Sequence, residues 1–361
     1  MKIDEFFIEE EFHKKKRKET KKIRKIKEKK DRSKYKKTDQ NKLQEKKQIR
    51  EDLLSGRVLS IRGEGSIVLA NKKEYLCTLS GVLKKRKTKD KNLIAVGDIV
   101  YFLEEKKNEG SIKDVEKRTS ILVREDKRQK QIIAANIDQV FIVSSVIKPY
   151  LKPSLIDRYI IAAEKGNITP IVVINKIDLL KSNEFTINEI EEEEKRLQSF
   201  LKDYKNLGYD VYLVSAKKKN GIKKLLKAMK NKASVFSGQS GIGKSSLINA
   251  ILKTNLKTGE VVKKTYKGAH ITTRATLLPL KEGGFCIDTP GIKSFGLFNI
   301  TKEDIKNHFS DFFIFAKDCK YRSCDHLDEP SCKVKEAVLE NKLSSLRYES
   351  YKNLIEEIKE K

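Results

Sequence analysis

Gly238-Gln239-Ser240-Gly241-Ile242-Gly243-Lys244-Ser245-Ser246 is the stretch that decides the fold. It fits the pattern G-x-x-x-x-G-K-[ST], and its surroundings supply the context that pattern requires. The run Ala233 to Ser237 precedes it as a strand, and Lys244 to Leu252 continues it as a helix. The glycines let backbone amides curl around phosphate groups. Lys244 would neutralise charge on β- and γ-phosphates, and the Ser245 hydroxyl would ligate Mg²⁺. The helix N-terminus adds partial positive charge. A bare glycine-rich turn explains the lysine and the serines poorly.

Upstream, Asn175-Lys176-Ile177-Asp178 ends a strand over Ile171 to Ile174. Four residues alone are a weak signal, and a polar turn is the plain alternative. Beside a phosphate loop they point to guanine. The Asp178 carboxylate can accept from guanine N1–H and its exocyclic amine, whereas adenine would leave that buried acceptor unpaired. Asn175 is expected to tie this loop to the phosphate loop, with the Lys176 stem along the base. Ser215-Ala216-Lys217, after the strand Val211 to Val214, matches a second guanine-contacting loop, again weak by itself. Downstream, Asp288-Thr289-Pro290-Gly291 follows the strand Phe285 to Ile287. Asp288 would hold the magnesium through water, and the Gly291 amide would sense the γ-phosphate. Thr272 and Thr273, ahead of a strand at Ala275 to Leu280, offer the hydroxyl that caps Mg²⁺. Either threonine is also an ordinary strand-former.

The order of these motifs is unusual. The base motifs come first, then the phosphate loop, then the threonines, then D-x-x-G, so the nucleotide-binding unit is circularly permuted. Strands alternating with helices, including Asn188 to Tyr204, imply a parallel sheet covered on both faces. Between about 53 and 118, five short apolar runs predict a small barrel of the OB type: Val58 to Ile61, Ile67 to Leu69, Tyr75 to Leu79, Leu93 to Val96 and Ile99 to Leu103. The pattern leaves an SH3-like barrel open. The loop Lys84 to Lys91 has six basic residues and one acid, which suits a phosphate backbone.

Near the C-terminus, Cys319, Cys324, His326 and Cys332 present three thiolates and an imidazole within 14 residues. That set suits one tetrahedral structural zinc, with no ligand position left for catalysis. The polar sequence around them argues against buried apolar cysteines. Cys77 and Cys286 sit in apolar strands and read as core residues. Helical patterns flank the cluster, the last over Glu336 to Lys361.

The formal net charge of +28 over 361 residues points to a polyanionic partner. From Glu11 to Arg50 there are 20 Lys or Arg against 6 Asp or Glu, half of the net charge in about a ninth of the chain. That extension is expected to be disordered and to displace counterions from nucleic acid. No apolar run reaches the roughly 18–20 residues of a membrane span. No secretory pattern follows the first lysines. The cysteine usage fits a reducing compartment.

With the permuted motifs and the cysteine cluster set out, the chain resembles the RsgA (YjeQ) family of bacterial ribosome small-subunit-dependent GTPases. The resemblance covers nearly everything after the extension. It includes the Gly97-Asp98 turn, Ala134-Ala135-Asn136-Ile137-Asp138 and Ile156-Asp157-Arg158-Tyr159. It implies a multidomain α/β chain with a basic extension over 1–52, an OB-fold RNA-binding domain over 53–118 and a circularly permuted GTPase domain over 119–299. A helical zinc-binding domain over 300–361 completes it. It also implies a late maturation factor: a cytoplasmic, monomeric GTPase that binds the small ribosomal subunit and its rRNA and leaves on hydrolysing GTP to GDP. In two places the chain departs from the family. The family's switch carries His and three threonines, whereas here it is His270-Ile271-Thr272-Thr273, and the basic extension lies outside the shared core. Ile292 occupies the position where many GTPases place a water-orienting Gln. The resemblance offers His270 for that role, the alternative being that His270 contacts RNA or solvent. Two other functions stay open at this point. One is a non-catalytic RNA-binding module that uses GTP as a conformational ligand, and the other is a GTPase acting on another RNA particle.

Overall fold

The computed structural model describes residues 52–84, 93–126, 129–255, 275–288 and 300–359. The described residues from Ser55 onward belong to one compact unit. The basic extension lies outside the described residues, as does most of the lysine-rich loop after Lys84.

The first five strands are β1 (Leu54–Ile61), β2 (Ser66–Ala70), β3 (Lys73–Leu79), β4 (Ile99–Lys106) and β5 (Glu109–Val115). They follow the order β1-β2-β3-β5-β4, and a β1–β4 pairing closes the ring. β3 and β5 run parallel while the other hairpin neighbours are antiparallel. This closed five-stranded path is an OB-type barrel. Asn71 and Lys72, both at positive φ, make the two-residue turn that joins β2 to β3. One expected strand is corrected. Leu93 to Val96 forms no strand, and its one ladder contact is an isolated bridge from Val96 to Ala134. Ile94, Ala95 and Val96 are buried, and the Ala95 amide donates to the Asp98 carboxylate at 2.7 Å. A turn centred on Gly97 therefore uses the run as packing, and β5 supplies the fifth strand.

A hairpin, β6 (Ile121–Asp126) and β7 (Gln129–Ala135), leads into the second sheet region. There β8 (Gln139–Ser145), β9 (Thr169–Asn175), β11 (Ala233–Ser237) and β13 (Phe285–Asp288) are parallel, with β10 (Val211–Leu213) parallel at one edge. β12 (Thr276–Pro279) pairs antiparallel with β13 and touches β1, giving the order β10-β9-β8-β11-β13-β12-β1. The helices are α1 (Pro153–Lys165), α2 (Ile187–Asn206), α3 (Ile222–Met229) and α4 (Lys244–Asn255). Alternate residues of each strand enter opposite cores. Val140, Ile142, Val172 and Ile174 pack with Ile160, Leu197 and Phe200 of α1 and α2. Phe141, Val143, Ile171 and Val173 pack with Leu225, Met229, Leu247 and Ile251 of α3 and α4. Both faces are covered, as the near-continuous apolar runs require.

The C-terminal region holds α5 (Lys302–His308), α6 (Lys333–Leu339) and α7 (Ser345–Lys359). The single helix expected over Glu336 to Lys361 is thus two. Asn341 adopts φ 56°, the Asn341 amide donates to Val338 O at 3.1 Å, and the Lys342 amide donates to Ala337 O at 2.8 Å. That pair of bonds is a Schellman cap, which stops α6.

This region docks on α1 and α2 through a buried charged cluster. Asp157 of α1 is fully buried and accepts from Arg347 at 2.8 Å, Tyr204 at 2.7 Å, Ser350 and His308 Nε2 at 3.1 Å. Arg347 also reaches Asp311 at 3.2 Å and lies over the Phe309 ring at 4.0 Å. Burial alone would raise the Asp157 carboxyl, but Arg347, His308 and Ser350 outweigh it and hold it at about 2. Burial would lower the His308 imidazolium, yet Asp157 and Glu164 raise it above the ordinary histidine value.

Candidate nucleotide site and metal cluster

The carboxyl ends of β8, β9, β11 and β13 open on one edge of the sheet, where open α/β sheets hold their ligands. The chain runs outward from β8 to β9 and β10, then returns to β11 on the other side of β8. The crevice at this switch receives the phosphate loop. Gly238, at φ 140°, lies so close to β8 that a Cβ would sit 2.2 Å from Val143 O. Gly243, at φ 85°, would place a Cβ 2.6 Å from Asn175 Nδ2. Side chains at either position would displace backbone or the base loop, so glycine is required here on two counts.

Three loops meet through one side chain. Asn175, 1% exposed at the end of β9, donates from Nδ2 to Ile242 O at 2.9 Å and accepts the Ala216 amide at 3.1 Å. Lys176, in the left-handed conformation at φ 62°, sends its ammonium to Gly241 O at 2.7 Å and also to Lys148 O. Desolvation pulls the Lys176 ammonium below its usual value, with Lys148 adding to the shift against Asp178. Ile177 begins a helical turn to Lys181 that carries Asp178. Ser215 donates to Asp178 at 2.5 Å and accepts the Lys218 amide at 3.0 Å, which fixes the carboxylate relative to Ala216 and Lys217. A carboxylate so oriented can accept a two-donor base edge. A hydrogen bond to a charged group is worth about 1.5–3 kcal/mol.

In the phosphate loop, Lys244 turns back on its own loop and donates to Gly238 O and Gln239 O, both at 2.6 Å. Burial lowers its ammonium below the ordinary lysine value. A phosphate in the loop would repay that desolvation through charge-assisted bonds. Gln239, Ser240, Ser245 and Ser246 are exposed around the loop, and Ile242 is buried as its apolar anchor. Asp288 ends β13, with Ile287 paired to Val235 of β11, so the strand register brings the Asp288 backbone beside the start of the phosphate loop. Gly291, His270, Thr272, Thr273 and Ile292 lie outside the described residues.

Cys319, Cys324, His326 and Cys332 converge, with their four donor atoms all within 4.8 Å of one another. His326 Nδ1 lies 3.4 Å from Cys332 Sγ and 3.7 Å from Cys319 Sγ, and the two sulfurs are 4.0 Å apart. Ligands around tetrahedral zinc, at bond lengths of about 2.0–2.3 Å, stand roughly 3.4–3.8 Å apart. The donor set therefore fits a zinc-sized cation. Burial and the neighbouring sulfurs push the Cys324 thiol up to about 12, so a cation is needed to draw off its proton. Outer contacts hold the ligand loop. Tyr348 donates to His326 O at 2.7 Å, Tyr351 to Asp325 O at 3.0 Å, and Glu329 accepts the Asp325 and Leu327 amides at 2.7 and 2.9 Å. Cys332 also begins α6. Cys77 and Cys286 are buried in β3 and β13 and are not members of this set.

The Asp157 cluster was not assigned in the sequence. Asp157 lies in the run Ile156-Asp157-Arg158-Tyr159, but Tyr204 stands 47 residues away and His308, Arg347 and Ser350 stand 151 to 193 residues away. Among the described residues, no helix is long and apolar enough to cross a membrane.

The sequence pattern of the family described as RsgA GTPase matches residues 115–298. A protein of Chlorobaculum parvum named small ribosomal subunit biogenesis GTPase RsgA is 39% identical over 281 residues, 74% of this chain and 86% of its own length. The crystal structure of YloQ, titled a circularly permuted GTPase, matches with a TM-score of 0.64 at 31% identity, covering 86% of this chain and 96% of that one. The structure of YjeQ from Thermotoga maritima matches with the same TM-score and identity, over 85% of this chain and 98% of that one.

Proposed function

Because this chain belongs to the RsgA GTPase family, we propose that it hydrolyses GTP to GDP and phosphate on the small ribosomal subunit, assists late subunit maturation, and leaves on hydrolysis. The observation that carries the reading is the double hydrogen bond of Asn175, which joins the base loop, the Ala216 loop and the phosphate loop despite their permuted order. Asp178 takes the guanine edge, with Ser215 holding its carboxylate. Residues Gly238 to Ser246 wrap the phosphates, and Lys244 exchanges its two carbonyl partners for β- and γ-phosphate oxygens. Ser245 and Asp288 would hold a magnesium ion, which neutralises charge that builds on the phosphates. Thr272 or Thr273 would cap that ion, the Gly291 amide would bond the γ-phosphate, and His270 would orient the attacking water in the place left by Ile292.

The residues 53–118 and 300–361 act as two RNA-gripping domains on either side of the GTPase domain at 119–299. One zinc held by Cys319, Cys324, His326 and Cys332 is structural. The protein works as a cytoplasmic monomer. Support for the subunit comes from the name of the Chlorobaculum parvum relative. Single-turnover GTP hydrolysis with and without small subunits tests the reading. Small subunits should raise turnover by on the order of 10²–10⁵, the range available from positioning water and stabilising charge. Large subunits alone should not. His270→Ala should lose most of the stimulation and keep nucleotide binding. Equal turnover with and without small subunits defeats the proposal.

A further inference from the structure

From Lys217 to Lys232 the chain carries eight lysines and not one Asp or Glu. All eight are exposed. Lys217, Lys218 and Lys219 cap a short loop that closes on itself through reciprocal Ser215 and Asn220 backbone bonds at 3.1 and 3.0 Å. Lys223, Lys224 and Lys227 lie on α3, whose orientation is fixed because Ile222, Leu225 and Met229 are buried. Lys230 and Lys232 continue the strip into β11.

This strip is unlike an ordinary solvated helix. Lys223 and Lys227 are i,i+4 neighbours, and such like-charge pairs destabilise a helix by about 0.2–0.5 kcal/mol each. The first turn of α3 has no acid, where the helix dipole favours one. By contrast α2 mixes five glutamates with its lysines and carries a Thr186–Glu189 capping box. Among the described residues, no carboxylate ion-pairs with any of the eight lysines. The turn across from Asn231 adds Glu282 and Lys281, which cancel. Unrelieved repulsion of this kind is relieved by a polyanion.

We propose that the strip Lys217–Lys232 is a binding surface for the phosphate backbone of duplex RNA. It deepens the functional reading above and rests on it for the identity of the polyanion. No residue of the strip exposes a large hydrophobic side chain, so it offers neither a base-stacking platform nor a wedge for a lipid surface. Backbone contact is what remains, and it carries position without sequence information. The strip begins at Lys217, the last residue of the Ser215-Ala216-Lys217 loop, so bound RNA lies beside the guanine loop.

The test compares two variants of the full chain with equal loss of charge. K223Q/K224Q/K227Q/K230Q strips α3, and K195Q/K202Q/K205Q/K352Q removes exposed lysines elsewhere. Affinity for a short duplex RNA is measured across a salt series. Each lost phosphate contact should flatten the slope of log affinity against log salt by about 0.9. The α3 variant should lose roughly two to four such units, and the control variant less than one. GTP affinity without RNA should be the same in both, which establishes that the fold is intact. Equal slopes in the two variants overturn the proposal. So does an α3 variant that loses binding to phosphatidylserine vesicles while keeping its RNA slope. Small-subunit-stimulated turnover is scored separately on the unaltered chain. Its absence there defeats the functional reading, whereas its presence with equal slopes removes only the strip.

Discussion

Arg347→Met should loosen the C-terminal region from the sheet domain, with a dependence on pH that identifies the cause. The Arg347 guanidinium is 1% exposed, bonds Asp157 at 2.8 Å and Asp311 at 3.2 Å, and covers Phe309. Methionine keeps most of the volume and removes the charge. Asp157 then stays buried with Tyr204, Ser350 and His308 as its partners. Removing one partner of a buried pair costs about 3–5 kcal/mol, because the other charge is left uncompensated. His308 decides where in that range the cost falls. Its folded value is raised, so its contribution is full below its unfolded value and is lost as pH rises through the folded one. Protonated His308 still balances Asp157, which places the cost near the low end at mildly acidic pH and near the high end in mild alkali. Asp157 runs the other way. Held at about 2 against an ordinary 3.8, it contributes about 2 kcal/mol above the unfolded value, lost as pH falls through the folded one. The chain has no Trp, so amide hydrogen exchange over Ser345–Lys359 is the suitable assay. A loss near 3 kcal/mol is a more than hundredfold fall in protection, since about 1.4 kcal/mol is tenfold. Protection within tenfold of the parent in both acid and alkali would refute the reasoning, as would an equal loss at both.

Asp178→Asn should weaken GTP binding and improve binding of xanthosine triphosphate, whose C2 carbonyl seeks a donor. The lost charge-assisted bonds amount to about 1.5–3 kcal/mol, or roughly 10- to 150-fold in affinity by calorimetry, and unchanged GTP affinity would remove Asp178 from the base site. Elemental analysis should find about one zinc per chain. Chelation should release exchange protection around Cys319 to Leu339 while GDP affinity holds, and a metal-free chain with unchanged thermal unfolding contradicts a structural ion. Deleting residues 1 to 50 should flatten the salt slope for RNA and leave GTP binding unchanged, and an unaltered slope means that the extension is a spectator.

The nucleotide loops were legible because their chemistry is local. A phosphate loop needs its glycines, lysine and serine consecutively, and strand-then-helix patterning on either side fixes where they stand. The four metal donors were legible for the same reason, within 14 residues of one another. β5 was not, since Glu109 to Val115 alternates poorly and Gly110, Ser111 and Asp114 are buried in it without being apolar. The β6–β7 hairpin hid in a run of charge from Arg124 to Lys130, and its buried apolar residues, Leu122, Val123, Ile132, Ala134 and Ala135, fall in two short groups on either side of that run. The run Leu93 to Val96 misled in the other sense, because burial at a turn and burial in a strand select the same side chains. Asn341 ended α6 as a left-handed cap that an asparagine among charged residues does not advertise. The Asp157 cluster lay beyond any local pattern, because Arg347 and Asp157 are brought together only by the docking of α7 on α1.

Permutation leaves the site intact because a site at a sheet edge depends on which strands are neighbours, not on the order in which the chain visits them. β9, β8, β11 and β13 lie side by side and parallel, so Asn175, Gly238 and Asp288 all fall at the same edge. Permutation alters what each loop is connected to. The base loops now lie between β9 and β11, inside the domain, and the strip of lysines separates them from the phosphate loop. The segment after Asp288 leads instead toward α5, where His308 meets Asp157 within 20 residues of the end of β13. α1, which carries Asp157, begins eight residues after β8, the strand against which Gly238 is packed. The buried ion cluster is therefore reached by a short chain path from each side of the phosphate loop. Two such paths ending on one charged cluster form a coupling route only if the cluster holds the C-terminal region in place, and the Arg347→Met experiment measures that grip.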